Sequence, residues 1–212
     1  MKVLGLTGSI GMGKTTVAAA LRRLRIPVHD ADATVHRLLR TDRVTVAAVE
    51  AAFPGVSDGG GGIDRAALSR RVFGDAAALE RLERILHPLV RRAELRFLRR
   101  AAAARVPMVV LDIPLLFETA AERRCHAVLV VSAPDFVQTA RVLHRRGMTP
   151  ARLAAILARQ MPDSEKRRRA DFVVPSGLDR RTGWRALSGI VRAMRGGPGV
   201  RQRRNGRPAR DA

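Results

Sequence analysis

Apolar residues fall along this chain in two rhythms. Short unbroken runs, "KVLGLT" at 2–7, "VPMVVLD" at 106–112, "AVLVVS" at 127–132 and "DFVVP" at 171–175, stand between polar residues. Runs of that kind belong to strands covered on both faces, as in a parallel sheet. "IPVHDAD" at 26–32 reads as a shorter strand ending in two acids. Elsewhere the apolar positions recur at helical spacing: in "KTTVAAALRRL", from the acids through Leu39, and over 43–53. Asp64 stands where an N-cap belongs before "RAALSRRVF". The stretch 75–104 is helical with Pro88 inside it, which predicts a kink or break near Leu86 because proline has no N–H to donate. "PDFVQTARVLHRRG", "TPARLAAILARQ" and 179–194 supply three further helices, and "FPGVSDGGGG" reads as a flexible connection.

This alternation predicts an α/β fold, a doubly wound parallel sheet within one domain over 1–194. Its core takes in about 1–33 and 105–194, with helices from roughly 34 to 104 inserted between the second and third strands. No internal repeat interrupts the pattern.

Composition narrows the class. The 212 residues are 46% hydrophobic but only 3% aromatic, without tyrosine, so the core is aliphatic. A single cysteine, Cys125, excludes an internal disulfide and a cysteine-rich zinc site, and fits a reducing interior. Lys14 and a cluster of glycines interrupt the apolar N-terminus, which argues against a signal peptide. No run reaches the ~18 apolar residues of a membrane span. The expectation is a cytoplasmic protein.

The net charge of +21 invites a nucleic-acid reading. Three features argue against it. The final eighteen residues, 195–212, hold six arginines against one aspartate and read as a disordered basic tail that inflates the total. Arginine outnumbers lysine 37 to 3 along the whole chain, a general bias rather than a local patch. A protein that handles polyphosphates also needs positive potential. Oligomeric state is not written in the sequence.

"GSIGMGKT" at 8–15 carries the strongest chemistry. Gly8, Gly13, Lys14 and Thr15 satisfy the phosphate-loop pattern, with a strand before and a helix after. Glycines let consecutive N–H groups curl into an anion nest at a helix N-terminus. Lys14 can bridge β- and γ-phosphates as a compact ammonium where a guanidinium is too wide. Thr15 offers a hydroxyl to Mg²⁺. The acids of "DAD" leave the second strand beside the ligand crevice of an open α/β sheet. One of Asp30 and Asp32 can take the proton of an attacking hydroxyl while the other orients water on magnesium, and helix N-capping is the structural alternative for either. An extended "DAD" puts both acids on one side, whereas a helix starting there separates them. Asp112, ending the third strand, is a magnesium-facing acid or a strand-end cap. Arg141 and Arg145, four apart, share a helix face from which they can close over ATP. His29, His126 and His144 follow no catalytic pattern and read as structural or surface residues.

"GLTGSIGMGKTTVA", "VHDAD", "ILHPLV", "VLDIPLLFE", "Q..R" at 138–141 and "Q.....K...AD" at 160–171 together resemble the dephospho-CoA kinase family, in order over residues 3–178. The resemblance implies a P-loop nucleoside triphosphate hydrolase-like fold with a helical substrate-binding insertion and a lid at about 138–168. It implies ATP and Mg²⁺, with γ-phosphate transfer to the 3′-hydroxyl of dephospho-CoA. Carried over by position, Asp32 becomes the base and Lys14 the phosphate clamp. Gly8 and the run Gly11, Met12, Gly13, Lys14, Thr15 and Thr16 hold ATP, and Arg141 and Arg145 belong to the lid. Asp30, His87, Pro114, Leu115 and Leu116 fall on the acceptor side. Lys166 stands at the family's lysine position.

The chain also departs from that pattern. Ser9 replaces the second glycine of "TGGIG", which requires a negative φ there. His36, followed by Arg37, stands where relatives carry an arginine. "RTDRV" replaces a proline-glycine turn, and Ser176 an asparagine near the base. The rival readings are another small-molecule P-loop kinase, for a nucleoside, nucleotide or shikimate, and a nucleic-acid-binding ATPase. A helical insertion of this size exceeds what a small hydroxy acid requires.

Overall fold

The apolar runs become strands of one sheet in the order β2-β3-β1-β4-β5, in a computed structural model that describes residues 1–177 and 179–196. β1 is Lys2–Thr7, β2 Val28–Asp30, β3 Met108–Asp112, β4 Ala127–Ser132 and β5 Phe172–Pro175. The pairings β1–β3, β1–β4 and β4–β5 are parallel. The helices are α1 Lys14–Arg23, α2 Ala31–Thr41, α3 Arg43–Ala52, α4 Arg65–Val72 and α5 Ala76–Ala103. Then follow α6 Asp135–Leu143, α7 Pro150–Leu157, α8 Asp163–Arg169 and α9 Arg180–Met194, with a 3-10 turn over Ala121–Arg124. The 3-10 turn and α8 carry too few apolar residues for the periodicity to reveal.

Two compact units share the chain: Met1–Val28 with the residues from Arg105 onward, and His29–Ala104. In the first, one face of the sheet is sealed by α1 and α9. Val17 and Leu21 meet Leu4, Leu129 and Val174 there, with Leu187 and Ile190 closing the layer. β3 and β4 are buried at every position, which is why their sequences do not alternate. On the other face a Cβ at Gly5 would lie 2.7 Å from Leu116 Cδ1 and 2.8 Å from Cys125 Sγ. A side chain at position 5 would therefore displace the loop after β3.

That loop is anchored by Glu118. Its Oε1 accepts from Met161 N–H at 2.8 Å and lies 2.9 Å from Lys166 Nζ, an ion contact rather than a well-directed hydrogen bond. Lys166 is fully buried, whereas the Glu118 side chain is 18% exposed. Burial pushes the Glu118 carboxyl upward, but the Met161 N–H and the Lys166 ammonium outweigh it and hold it below the usual range. Farther on, Val128 N–H donates to Asp171 and Ser132 Oγ to Asp163, tying β4 to both ends of α8.

The second unit has its own core, with Leu39, Val49, Phe53, Ile63 and Leu82 among its members. Four successive helices begin on an aspartate whose carboxylate accepts a backbone N–H of the first turn: Asp30, Asp42, Asp64 and Asp75. Each such cap stabilises by roughly 1 kcal/mol relative to alanine. Asp64 does what its position predicts. The glycine run is not the slack connection expected, because Asp58 Oδ1 accepts from Gly60 N–H and Gly62 N–H, closing a turn beside the Ser57–Ile63 bridge. The break expected near Leu86 does not occur either. α5 continues through Pro88, which is exposed, so the carbonyl freed one turn earlier at exposed Arg84 can be hydrated.

His29 is buried with Nε2 unpaired, its ring centroid 5.3 Å from that of Phe97. Burial lowers its pKa, outweighing Glu94. A depressed imidazole pKa means that the unfolded chain binds the extra proton first. Stability from neutral His29 is therefore complete above the ordinary value of 6.5 and is lost as pH falls below it. Urea melts from about pH 7 to about pH 5 should show that decline in the parent and a shallower one in His29→Phe.

The Glu118–Lys166 pair gives a second expectation. Glu118→Ala strands a buried ammonium and should cost roughly 2–4 kcal/mol by denaturant titration. Lys166→Met removes the buried charge itself and leaves a carboxylate that water can reach, so it should cost less.

Candidate active site

The strand order turns back on itself around β1, since the chain crosses from β3 on one side to β4 on the other. In an open α/β sheet the crevice at such a point, beyond the strand carboxyl ends, is where ligands bind. The segment Gly8–Gly13 leaves β1 there. Thr7 Oγ1 donates to Pro114 O at 2.8 Å, joining it to the loop after β3. Gly11 and Gly13 take φ of 78° and 86°, and a Cβ at Gly11 would lie 2.6 Å from Val142 Cγ2, so neither position tolerates a side chain. Ser9 is not among the residues with positive φ, meeting the condition set by its replacement of glycine.

α1 begins with Gly13 as N-cap and no side-chain cap. Its first N–H groups have no intrahelical acceptor and the helix dipole adds positive potential, which leaves donors for an anion. The loop carbonyls are turned outward. Gln138 Nε2 donates to Ile10 O at 2.7 Å, Arg141 Nη1 to Gly11 O at 3.4 Å and Ser176 Oγ to Met12 O at 2.6 Å. Three consecutive peptides thus have their carbonyls engaged from outside. Met12 is itself buried, its Sδ accepting from Ala133 N–H at 3.0 Å, so it can serve a ligand only through its backbone.

Lys14 Nζ donates to Asp112 Oδ1 at 2.7 Å. The Asp112 side chain is 3% exposed and that of Lys14 17%, so the ammonium sits at the rim and the acid beneath it. Asp112 is thus the partner of the lysine, a role neither alternative considered for it. Thr15 and Thr16 are exposed at the start of α1. Mg²⁺ in phosphate-loop enzymes takes one or two protein oxygens and fills the rest of its octahedron with phosphate and water. The Thr15 hydroxyl and the Asp112 carboxylate fit that modest demand. Among the described residues no cluster of three metal-ligating side chains exists, so an all-protein metal cage does not.

Arg141 joins two segments: Nη1 donates to Ser176 Oγ at 3.0 Å and Nη2 to Ser176 O at 2.5 Å. Ser176 is consequently a hinge point between Arg141 and the loop. Arg145 departs from expectation. α6 ends at Leu143, and Arg145 N–H turns back to Val142 O at 3.0 Å ahead of Gly147, whose φ is 76°. The two arginines therefore do not share a helix face.

Leu116 is fully buried under Gly5 and lines no cleft; its neighbours Pro114 and Leu115 are half-buried. In the second unit a helix begins inside "DAD", separating the two acids. Asp30 caps α2 through Ala33 N–H at 2.9 Å, while Asp32 stands exposed in the first turn. His36 is exposed with Arg65 Nη1 3.4 Å from its Nδ1, and Arg37 and His87 are exposed. Gln138, Gln160 and Glu118 were legible only as letters of a motif; nothing in their spacing announced that the glutamines meet the loop or that Glu118 holds Met161 beside Gln160. Most of the basic tail, from residue 197, lies outside the described residues. No described helix is long and apolar enough to cross a membrane.

The family model for dephospho-CoA kinase matches residues 2–178. A dephospho-CoA kinase of Paramagnetospirillum magneticum is 63% identical over 196 residues, 92% of each chain. One from Rhodospirillum rubrum is 57% identical over 205 residues, covering 97% of this chain and 96% of its own. Among solved structures, a Thermus thermophilus protein aligns with TM-score 0.78 at 39% identity, covering 91% of this chain and 97% of its own. With the phosphate loop, its lysine–aspartate pair and a match over most of its length, this chain belongs to the dephospho-CoA kinase family.

Proposed function

We propose that this chain transfers the γ-phosphoryl group of ATP, with Mg²⁺, to the 3′-hydroxyl of dephospho-CoA, and does so in the cytoplasm. The observation that carries the reading is Lys14 on Asp112 at the mouth of a glycine loop whose Ile10, Gly11 and Met12 carbonyls are engaged from outside. The inward N–H groups and the α1 terminus hold the β- and γ-phosphates. Lys14 leaves Asp112 for the phosphate oxygens, a change of partner within reach of a flexible ammonium. Thr15 and Asp112 would hold magnesium on its protein side, and the ion would supply charge neutralisation to the phosphates.

Asp32 accepts the proton of the acceptor hydroxyl as its oxygen bonds to the γ-phosphorus and the bond to the ADP oxygen breaks. A carboxylate is a weak base toward an alcohol, but a loose transition state requires little early deprotonation. Asp32 suits the task by its exposure, whereas Asp30 is committed to its helix cap. Arg141 neutralises charge spreading over the transferred group. Arg145, His36, Arg37, His87, Pro114 and Leu115 stay as candidates for lid and acceptor contacts.

Lys14→Ala and Asp32→Asn should each lower kcat by about 10²–10⁴-fold with the fold intact by circular dichroism. A coupled ADP-release assay should show turnover with dephospho-CoA far above that with adenosine, AMP or shikimate. Equal turnover with AMP would remove the acceptor assignment and keep the kinase. Dependence of turnover on added polynucleotide would instead favour the nucleic-acid reading.

A further inference from the structure

Ile10 is gripped through both of its backbone polar groups by side chains. Its N–H donates to Gln160 Oε1 at 3.1 Å, and its carbonyl accepts from Gln138 Nε2 at 2.7 Å. The two glutamines come from different directions along the chain. Gln138 is buried in α6, one turn before Arg141. Gln160 follows α7 and immediately precedes Met161, whose N–H is fixed by Glu118. Glu118 lies on the same loop that begins at Asp112, the partner of Lys14.

We propose that Gln138 and Gln160 are positioning residues for the nucleotide, holding the two Ile10 peptides so that the Gly11 N–H faces the phosphates. The inference rests on the reading that this loop binds ATP, and adds to it which residues outside the loop set its shape. A peptide group presents its C=O and its N–H in opposite directions. Drawing the Ile10 carbonyl outward therefore aims the Gly11 N–H inward. Occupying the Ile10 N–H keeps that donor out of the nest and sets where the anion ring starts. An amide suits both jobs because it is uncharged and offers donor and acceptor at one tip. The two residues use opposite ends of it.

That asymmetry gives a test that mere packing would fail. Glutamate keeps an acceptor oxygen but has no donor. Gln160→Glu should therefore bind Mg·ATP within about threefold of the parent, while Gln160→Leu weakens it about tenfold or more. At Gln138 the order reverses. Gln138→Glu faces a carbonyl with a carboxylate and should weaken Mg·ATP at least as much as Gln138→Leu. Affinities are read by calorimetry with Mg·ATP alone, so they report on the loop whichever acceptor the enzyme uses. Steady-state runs with dephospho-CoA should show KM for ATP rising while KM for the acceptor holds. Thermal melts accompany each variant, and the glutamate pair keeps the comparison readable where a leucine variant does not fold. Equal losses for Gln160→Glu and Gln160→Leu, unchanged affinity in all four variants, or a matching rise in acceptor KM would overturn the proposal. Failure of the parent to phosphorylate dephospho-CoA, with Mg·ATP affinities in the stated order, would overturn the acceptor assignment and support the clamp.

Discussion

A ring of backbone N–H groups can receive a polyanion only when something else holds the matching carbonyls away. That constraint organises the first unit. The carbonyls of Ile10, Gly11 and Met12 each accept from a different side chain, namely Gln138, Arg141 and Ser176. Glycine supplies the backbone freedom at positions 11 and 13, but freedom alone would leave the loop with many shapes. The donors around it select one. Ser176 is itself tied to β4 through its N–H to Ser132 O, and Gln160, which holds the Ile10 N–H, sits beside Met161, fixed by Glu118 of the loop after β3. The nest is thus a property of the whole sheet end rather than of eight consecutive residues.

The scarcity of lysine makes its two internal uses informative. Lys14 touches one acid at the rim of the loop, and Lys166 is fully buried against Glu118. A guanidinium brings five N–H donors in a flat fork, each needing an acceptor when buried. An ammonium brings three on a compact head. On the buried side of α8, an arginine at 166 would strand donors that water cannot reach, at about 1–3 kcal/mol for each. Arg169, by contrast, is partly exposed, reaches Glu122 at 3.0 Å and stacks over Phe117. The general preference for arginine yields where space and acceptor count forbid the fork.

What the sequence made legible was local. β1 and β4 begin and end where their apolar runs do, since burial on both faces leaves no polar position to blur the edge. Asp64 announced its helix because capping acts within three residues. Contacts that are distant in sequence were silent: Gln160 meets Ile10 across 150 positions, and Ser176 meets Met12 across 164. Even the misreadings follow this rule. Four-residue spacing placed Arg145 on the face of Arg141, but the helix ended at Leu143, two residues before Arg145, in a turn. Leu116 looked like part of a cleft until the missing side chain of Gly5 claimed it. For "DAD" the sequence left two arrangements open, and the helix starting at Ala31 selects the one that separates the acids.

The division of the chain has a chemical counterpart. The hydrogen bonds described above for the phosphate loop join residues of the first unit, and the second closes around its own aliphatic core under four aspartate caps. Phosphate geometry is the same for every substrate of a nucleotide-dependent kinase, so the elements that hold it admit little change. An acceptor differs from one kinase to another in size and charge. A unit with separate folding determinants can change its surface without disturbing the nest, since distant, independent sites contribute nearly additively. On the proposed reading, the departures at His36 and "RTDRV" all lie in that second unit. Of the two departures at the loop, Ser9 keeps a backbone that needs no positive φ, and Ser176 keeps a hydroxyl that can both donate to Met12 O and accept from Arg141.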